Sequence, residues 1–235
     1  MRAAFALLFA SALAWADDTA LPTSLPFPKQ SYLRLEPSYT FDDGGGQLFA
    51  RGVLIYRGFA IPRVDADRFV SAVGVDLSVD HIDGISDLDL TQLSGLVFGW
   101  GVVGIGVAAE LPTATAGDRA TALGPALIAQ YTALPHVELA LLARTFFGVA
   151  GSTQSALVTR LEPAIVFALP GQFQLSSDGE IDIDWLAREV TLPINCELAH
   201  PLGDHVVVTL GPEVVVAGRE RGSVKLDLRI DLLAK

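Results

Sequence analysis

The sequence predicts an all-β protein: an antiparallel up-and-down transmembrane β-barrel of about 12 strands. Three observations carry that expectation. The 235 residues are 51% hydrophobic and only 18% charged, with a mean hydropathy of +0.44; soluble domains usually carry about a quarter charged residues. No internal stretch reaches the ~18 uninterrupted apolar residues that a membrane helix needs. Most of the chain instead alternates apolar and polar residues with a period of two, the repeat of a strand with two different faces.

The first element is not expected to belong to the fold. Arg2 is followed by an apolar run from Ala3 to Leu13, with small residues at Ala14 and Ala16. That is the pattern of a cleaved secretory signal peptide over residues 1–16. Residues 17–30, "DDTALPTSLPFPKQ", hold three prolines and no periodicity, and read as an extended periplasmic lead-in. Residues 31–235 form the barrel domain, with no linker inside it.

Strand grammar begins at residue 31. In "SYLRLEPSYTF" Leu33, Leu35, Pro37, Tyr39 and Phe41 take one face, and Arg34, Glu36, Ser38 and Thr40 the other. "DDGGG" makes a turn, and "QLFARGVLIYRG" returns. Next, Phe69, Val73, Val75, Leu77 and Val79 oppose Arg68, Asp76, Ser78 and Asp80. The Gly95–Leu111 run is rich in glycine and β-branched residues, which suits strands and not a helix. Later, Val137, Leu139, Leu141 and Ala143 alternate with His136, Glu138 and Arg144. In the last strand Val224, Leu226, Leu228, Ile230 and Leu232 interleave with Lys225, Asp227, Arg229 and Asp231. Strands are expected at about 31–41, 47–58, 68–80, 87–98, 99–111, 121–133, 136–148, 155–169, 180–187, 189–199, 204–217 and 222–233. Most match the ~9–11 residues of a tilted membrane strand.

A weak repeat runs through them. Leu35-Glu36-Pro37, Leu123-Gly124-Pro125, Leu161-Glu162-Pro163 and Leu210-Gly211-Pro212 each put Leu and Pro on the apolar face. Proline has no ladder donor and is expected near strand ends or bulges.

Such a chain has two solutions: a soluble sandwich or barrel with its apolar face inside, or a membrane barrel with it outside. Four consecutive charges on one face of the last strand do not suit a dry core. The charged faces are therefore expected to line a lumen, with Arg34, Glu36, Asp76, Glu138, Arg144, Arg160, Glu162, Glu213, Lys225, Asp227, Arg229 and Asp231 as its residues. Tyr32, Tyr39, Phe41, Tyr56, Phe59, Trp100, Tyr131, Phe146, Phe147, Phe167, Phe173 and Trp185 are candidates for partial interfacial belts.

Part of the chain resembles a known family. The ordered motifs are Pro112 to Thr115 after a Gly-rich strand, then Gly124-Pro125, then Pro170-Gly171, Ser176-Ser177 and Asp184-Trp185, then Leu192-Pro193-Ile194-Asn195. Over about residues 95–217 they resemble the Gram-negative outer-membrane transporters grouped with the phenol meta-cleavage pathway. The resemblance implies a barrel in the cell outer membrane that passes small solutes, hydrophobic ones among them.

Other chemistries find little support. There is no G-x-S-x-G, P-loop, H-E-x-x-H or C-x-x-C, and Cys196 is the only cysteine, so no intramolecular disulfide framework exists. His200 to His205, "HPLGDH", reads as turn chemistry before a metal site. The acidic "HIDGISDLDL" misses calcium-loop spacing. Glu180, Asp182 and Asp184 share one face and are expected at the lumen or its rim. A net charge of −11 disfavours nucleic acid as a partner. The expectation is a pore or transporter and not an enzyme, with no cofactor or metal, and with outer-membrane lipid and a small solute as partners. The alternative is an exported soluble β-barrel or sandwich that binds an apolar ligand.

Overall fold

The computed structural model describes residues 32–42, 45–57, 69–80, 84–111, 120–151, 157–218 and 221–233. The signal-peptide and lead-in readings, the Pro112 to Thr115 motif and Phe59 lie outside the described residues.

Alternating sequence becomes antiparallel hairpins throughout. The strands are β1 (Tyr32–Asp42), β2 (Gly45–Arg57), β3 (Phe69–Asp80), β4 (Gly84–Phe98), β5 (Gly101–Leu111), β6 (Ala120–Leu134) and β7 (Val137–Gly151). They continue as β8 (Leu157–Ala168), β9 (Gln174–Ser177), β10 (Ile181–Asp184), β11 (Glu189–Asn195), β12 (Glu197–Pro201), β13 (Val206–Ala217) and β14 (Val224–Leu233). From β1 to β9 each strand pairs with the next in sequence, and β14 pairs with both β13 and β1, so the sheet closes. Closure leaves no edge strand, which is the condition for crossing a membrane with β-structure.

The fourteen segments make a ring of twelve strands. β9 and β10 lie end to end on β8 in one continuous register, Ile165 opposite Ser177 and Leu161 opposite Ile181. β11 and β12 do the same on β13, Asn195 opposite Glu213 and Leu198 opposite Leu210. The breaks fall at residues 178–180 and at Cys196. The expected count of about twelve holds, and the stretch at Gln174–Ser177, which strand grammar had passed over, is the first half of one interrupted strand.

The prolines of the repeat sit mid-strand, away from the ends expected for them. The ladder opens beside two of them. β1–β14 pairing stops at Leu35 and resumes at Ser38, and β6–β7 pairing stops at Leu123 and resumes at Ala126. All four prolines keep the outward face with their leucines: Leu35, Leu123 and Leu210 are among the exposed large hydrophobics. Gly124, beside one gap, is required by close approach. A Cβ there would stand 1.6 Å from the Thr145 carbonyl oxygen.

The outer face is apolar and the inner face carries the charge. Val103, Ile105, Val107, Leu123, Leu127, Leu139, Leu141, Leu210, Leu226 and Leu228 are exposed. Arg34, Arg144, Glu197, Asp227, Arg229 and Asp231 are buried. A water-soluble barrel binding an apolar ligand would have the reverse arrangement. The inside is not uniformly polar, however. Val70, Ala72, Leu93, Ala108, Ala122, Ala126, Ile128, Leu142 and Phe146 form a buried apolar cluster on the inner wall of β3 to β7.

Two sets of exposed aromatics mark the ends of the barrel. At the end that carries Tyr32 and Leu233, Phe98 stacks on Trp100 at 5.1 Å and Trp100 on Tyr131 at 6.2 Å. At the other end Trp185 and Phe147 are exposed, and the Trp185 indole N–H donates to Thr159 Oγ1 at 2.9 Å. Such girdles suit membrane–water interfaces, where one edge of the ring is apolar and the other wet. Phe146, expected in a belt, lies instead on the inner wall.

Candidate functional site

The lumen charges gather into three groups. In the first, Arg144 on β7 and Arg160 on β8 sit among five carboxylates. Arg144 bonds Glu162, and also Glu180 at 2.6 Å. Arg160 donates to Asp89 on β4 at 2.5 Å and to Glu110 on β5 at 2.8 Å, and faces Asp182 at 3.5 Å. Strand β4 lies four places round the ring from β8, so the long guanidinium side chain spans a chord of the barrel. Phe146 makes that reach possible. The Arg160 guanidinium lies 4.9 Å from its ring centroid and that of Arg144 5.9 Å. A cation over an aromatic face is held by the ring quadrupole as well as by contact.

The second group is built on the broken strands. Arg229 on β14 bonds Asp178 at 2.8 Å and Glu197 at 2.8 Å. Asn195 donates to Asp178 at 2.6 Å and to Glu197 at 3.2 Å, while the Asp178 amide donates back to Asn195 Oδ1 at 2.7 Å. Lys225 pairs with Asp227 at 3.0 Å in the same strand. Residues 178–180 leave the ladder, and their two carboxylates serve different arginines, Asp178 for Arg229 and Glu180 for Arg144. The interruption between β9 and β10 therefore ties the first two groups together. Charge pairing inside the lumen replaces sheet pairing in the wall.

The third group is the pair Arg34 and Asp231, bidentate at 2.7 and 3.0 Å.

Of the twelve residues expected to line the lumen, Arg34, Arg144, Arg160, Glu162, Lys225, Asp227, Arg229 and Asp231 meet in these three groups. Asp76 pairs with Asp89 in register, and Glu213 with Lys225. Glu138 is half-buried opposite Val166. Glu36 lies in β1 opposite Arg51. Asp89, Glu110, Asp178, Glu180, Asp182, Asn195 and Glu197 were absent from that set although they make much of the network. Glu180 and Asp182 share the phase expected at the lumen or its rim and do meet the arginines there; for the other five, alternation is broken by glycine or by short segments, and strand phase alone assigns them no face. Asp184 takes another role, accepting from the amides of Leu186 and Ala187 in the turn after β10. His200 stacks on Phe173 at 4.3 Å, and the "HPLGDH" stretch turns between β12 and β13, with Leu202 N–H donating to Val206 C=O. Among the described residues no three His, Cys, Asp or Glu side chains are grouped to hold a metal ion.

This arrangement combines an acidic, arginine-bridged belt with an apolar inner wall. No protein-family model matches the chain, and no curated protein matches it. Solved structures do. The NanC porin aligns over 86% of this chain and 100% of its own, with a TM-score of 0.64 at 8% identity. An outer-membrane channel from Pseudomonas putida F1 aligns over 92% and 100%, with a TM-score of 0.62 at 10% identity. The fold is that of an outer-membrane β-barrel. It also hosts catalysis elsewhere: the outer membrane phospholipase A of Escherichia coli aligns over 94% and 97%, with a TM-score of 0.53 at 12% identity. Fold alone therefore does not choose between channel and enzyme.

Proposed function

We propose that the chain is an outer-membrane channel for small solutes and not an enzyme, exported by a signal peptide at residues 1–16 and inserted as a twelve-strand barrel. The observation that carries this reading is the belt of Arg144 and Arg160 among Asp89, Glu110, Glu162, Glu180 and Asp182. It lies beside the apolar wall of Val70, Ala72, Leu93, Ile128 and Leu142. Charge rings set ion preference in pores, and five carboxylates against two guanidiniums favour cations over anions. The apolar wall supports small hydrophobic bodies as cargo, as does the resemblance of residues 95–217 to the meta-cleavage transporters.

The belt also narrows the lumen. Arg160 holds its chord through Asp89 and Glu110 together, so a solute passes when those pairs part. The exposed apolar outer face is covered by lipid. The porin and channel neighbours support this placement in the outer membrane.

The test is reconstitution of the mature protein in planar bilayers under a potassium chloride gradient, with liposome swelling against small phenols and against sugar acids. Discrete conductance, a cation-directed reversal potential and faster phenol entry are expected. A folded, inserted barrel with no conductance and no solute flux, or with anion preference, would overturn the reading.

A further inference from the structure

The outward row of β4 runs Leu88, Leu90, Gln92, Ser94, Leu96 and Phe98. Its ends are apolar and its middle is polar. The parity is secure, since Leu93 belongs to the inner apolar cluster and Asp89 meets Arg160 in the lumen, while Leu96 and Phe98 are exposed. Phe98 belongs to the aromatic set at one end, so Gln92 stands six residues up a strand that crosses in about ten. That is mid-bilayer.

There the polar groups bind one another because acyl chains offer no partner. Gln92 Nε2 donates to Ser94 Oγ at 2.7 Å and reaches Ser71 Oγ at 3.4 Å. Ser71 lies 3.3 Å from Ser94 Oγ and 3.1 Å from the Leu93 carbonyl oxygen. Among the described residues Gln92 Oε1 accepts nothing, and it is left facing the hydrocarbon. The shape is uneven as well. Ser71 is buried, with the Gln92 carboxamide 3.4 Å from its hydroxyl, whereas Ile105, paired with Ser94, and Val107, paired with Gln92, are 67% and 61% exposed. A low polar patch thus lies beside an aliphatic ridge.

We infer that this face is where a second copy of the chain docks in the membrane, with Gln92 of each copy at the two-fold axis. A carboxamide carries both donor and acceptor, so two related by a two-fold axis along the membrane normal meet at equal depth and satisfy each other. An isologous interface needs that self-complementarity. The ridge at Ile105 and Val107 then packs on the partner's low patch at Gln92 and Ser94. Small and polar residues are what draw membrane segments together where apolar area alone gives no preference over lipid. The inference rests on the barrel lying in a bilayer, not on what its lumen passes.

The experiment uses the mature chain with Cys196→Ser, reconstituted in phosphatidylcholine vesicles over a series of lipid-to-protein ratios. Stoichiometry is counted by single-molecule photobleaching, and a mixture of Val107→Cys and Ser94→Cys chains is scored for disulfide-linked heterodimers. A dimer that cross-links between Val107→Cys of one copy and Ser94→Cys of the other is expected, weakened about tenfold by Gln92→Leu and largely kept by Gln92→Asn. Gel shift on boiling confirms that each variant is a folded barrel, and Ser71→Ala with Ser94→Ala gives an independent perturbation of the polar patch. Monomers at every ratio, a dimer indifferent to Gln92→Leu, no cross-link between Val107→Cys and Ser94→Cys, or cross-linking in native membranes to a different protein would each overturn the proposal.

Discussion

Arg34 and Asp231 stand directly opposite each other across the β1–β14 seam, the pairing that closes the ring, and the guanidinium grips the carboxylate through both Nε and Nη2. Both side chains are buried. Sequence ends that lie 197 residues apart are thus joined by a two-point charged bond beside the first and last ladder hydrogen bonds. The geometry specifies register as well as closure, because a shift of β14 by one residue would turn Asp231 outward and leave Arg34 in the lumen without that carboxylate opposite it.

Removing one partner is expected to cost more than removing both. Asp231→Asn should destabilise the barrel by about 3 kcal/mol, since it withdraws the charge of the carboxylate that grips a buried guanidinium at two points. The double variant Arg34→Leu with Asp231→Leu should recover much of that loss. Urea unfolding in phospholipid bilayers, followed by gel shift, measures both. Equal losses in the single and double variants would show that the pair contributes nothing beyond its separate packing.

The outward leucines give a sharp contrast with a soluble barrel. Leu127 is 55% exposed and lies mid-strand in β6, next to the fully buried Ala126. Leu127→Lys should cost about 2–4 kcal/mol in a bilayer, the range for a lipid-facing charge near the midplane. On a water-facing surface the same change would be close to neutral. Retention of full stability in bilayers would mean that this face does not meet hydrocarbon.

Much of this architecture is legible in the sequence for a simple reason. In β14 five aliphatics and four charges alternate without interruption, and only an interface between lipid and lumen suits both faces at once. The face assignment of Arg34, Asp227, Arg229 and Asp231 follows directly. The harder parts are those where alternation carries no contrast. In β5 and β6 both faces are apolar or small, as at Ala108, Ala122 and Ala126 inside and Val107 and Leu127 outside, so the apolar inner wall was not visible as such. The turn of Asp178 into the lumen depends on Arg229, far away in the chain, and no local pattern encodes that. Phe146 shows the same limit. An aromatic reads as belt material until a pair of guanidiniums is seen to rest on it.

The mature chain offers two native depth markers. With Trp15 in the expected signal peptide, Trp100 and Trp185 remain, and they lie at opposite ends of the barrel with exposed rings. Trp100→Phe and Trp185→Phe each leave one indole to observe. Brominated acyl chains should quench both most strongly when the bromine sits near the headgroups, and aqueous iodide should quench each only partly. Strong iodide quenching with no effect of brominated lipid on either tryptophan would contradict the placement of the two girdles.

Arg160 is the residue whose loss should change transport most. Its guanidinium neutralises Asp89 and Glu110 across the chord and stacks on Phe146. Arg160→Gln keeps a hydrogen-bonding group but removes the charge and the cation–π contact, so the belt becomes more acidic and the chord slack. Larger single-channel conductance and a reversal potential shifted further toward cations are expected, with a steeper dependence on ionic strength because fewer lumen carboxylates are paired. Phe146→Leu separates the two contributions. It leaves every charge in place while withdrawing the aromatic support, worth about 1–2 kcal/mol for a shielded pair. It should therefore raise current fluctuations without moving the reversal potential. If Arg160→Gln alters neither conductance nor selectivity in a conducting barrel, the belt is a structural brace, and the path of the solute runs elsewhere in the lumen.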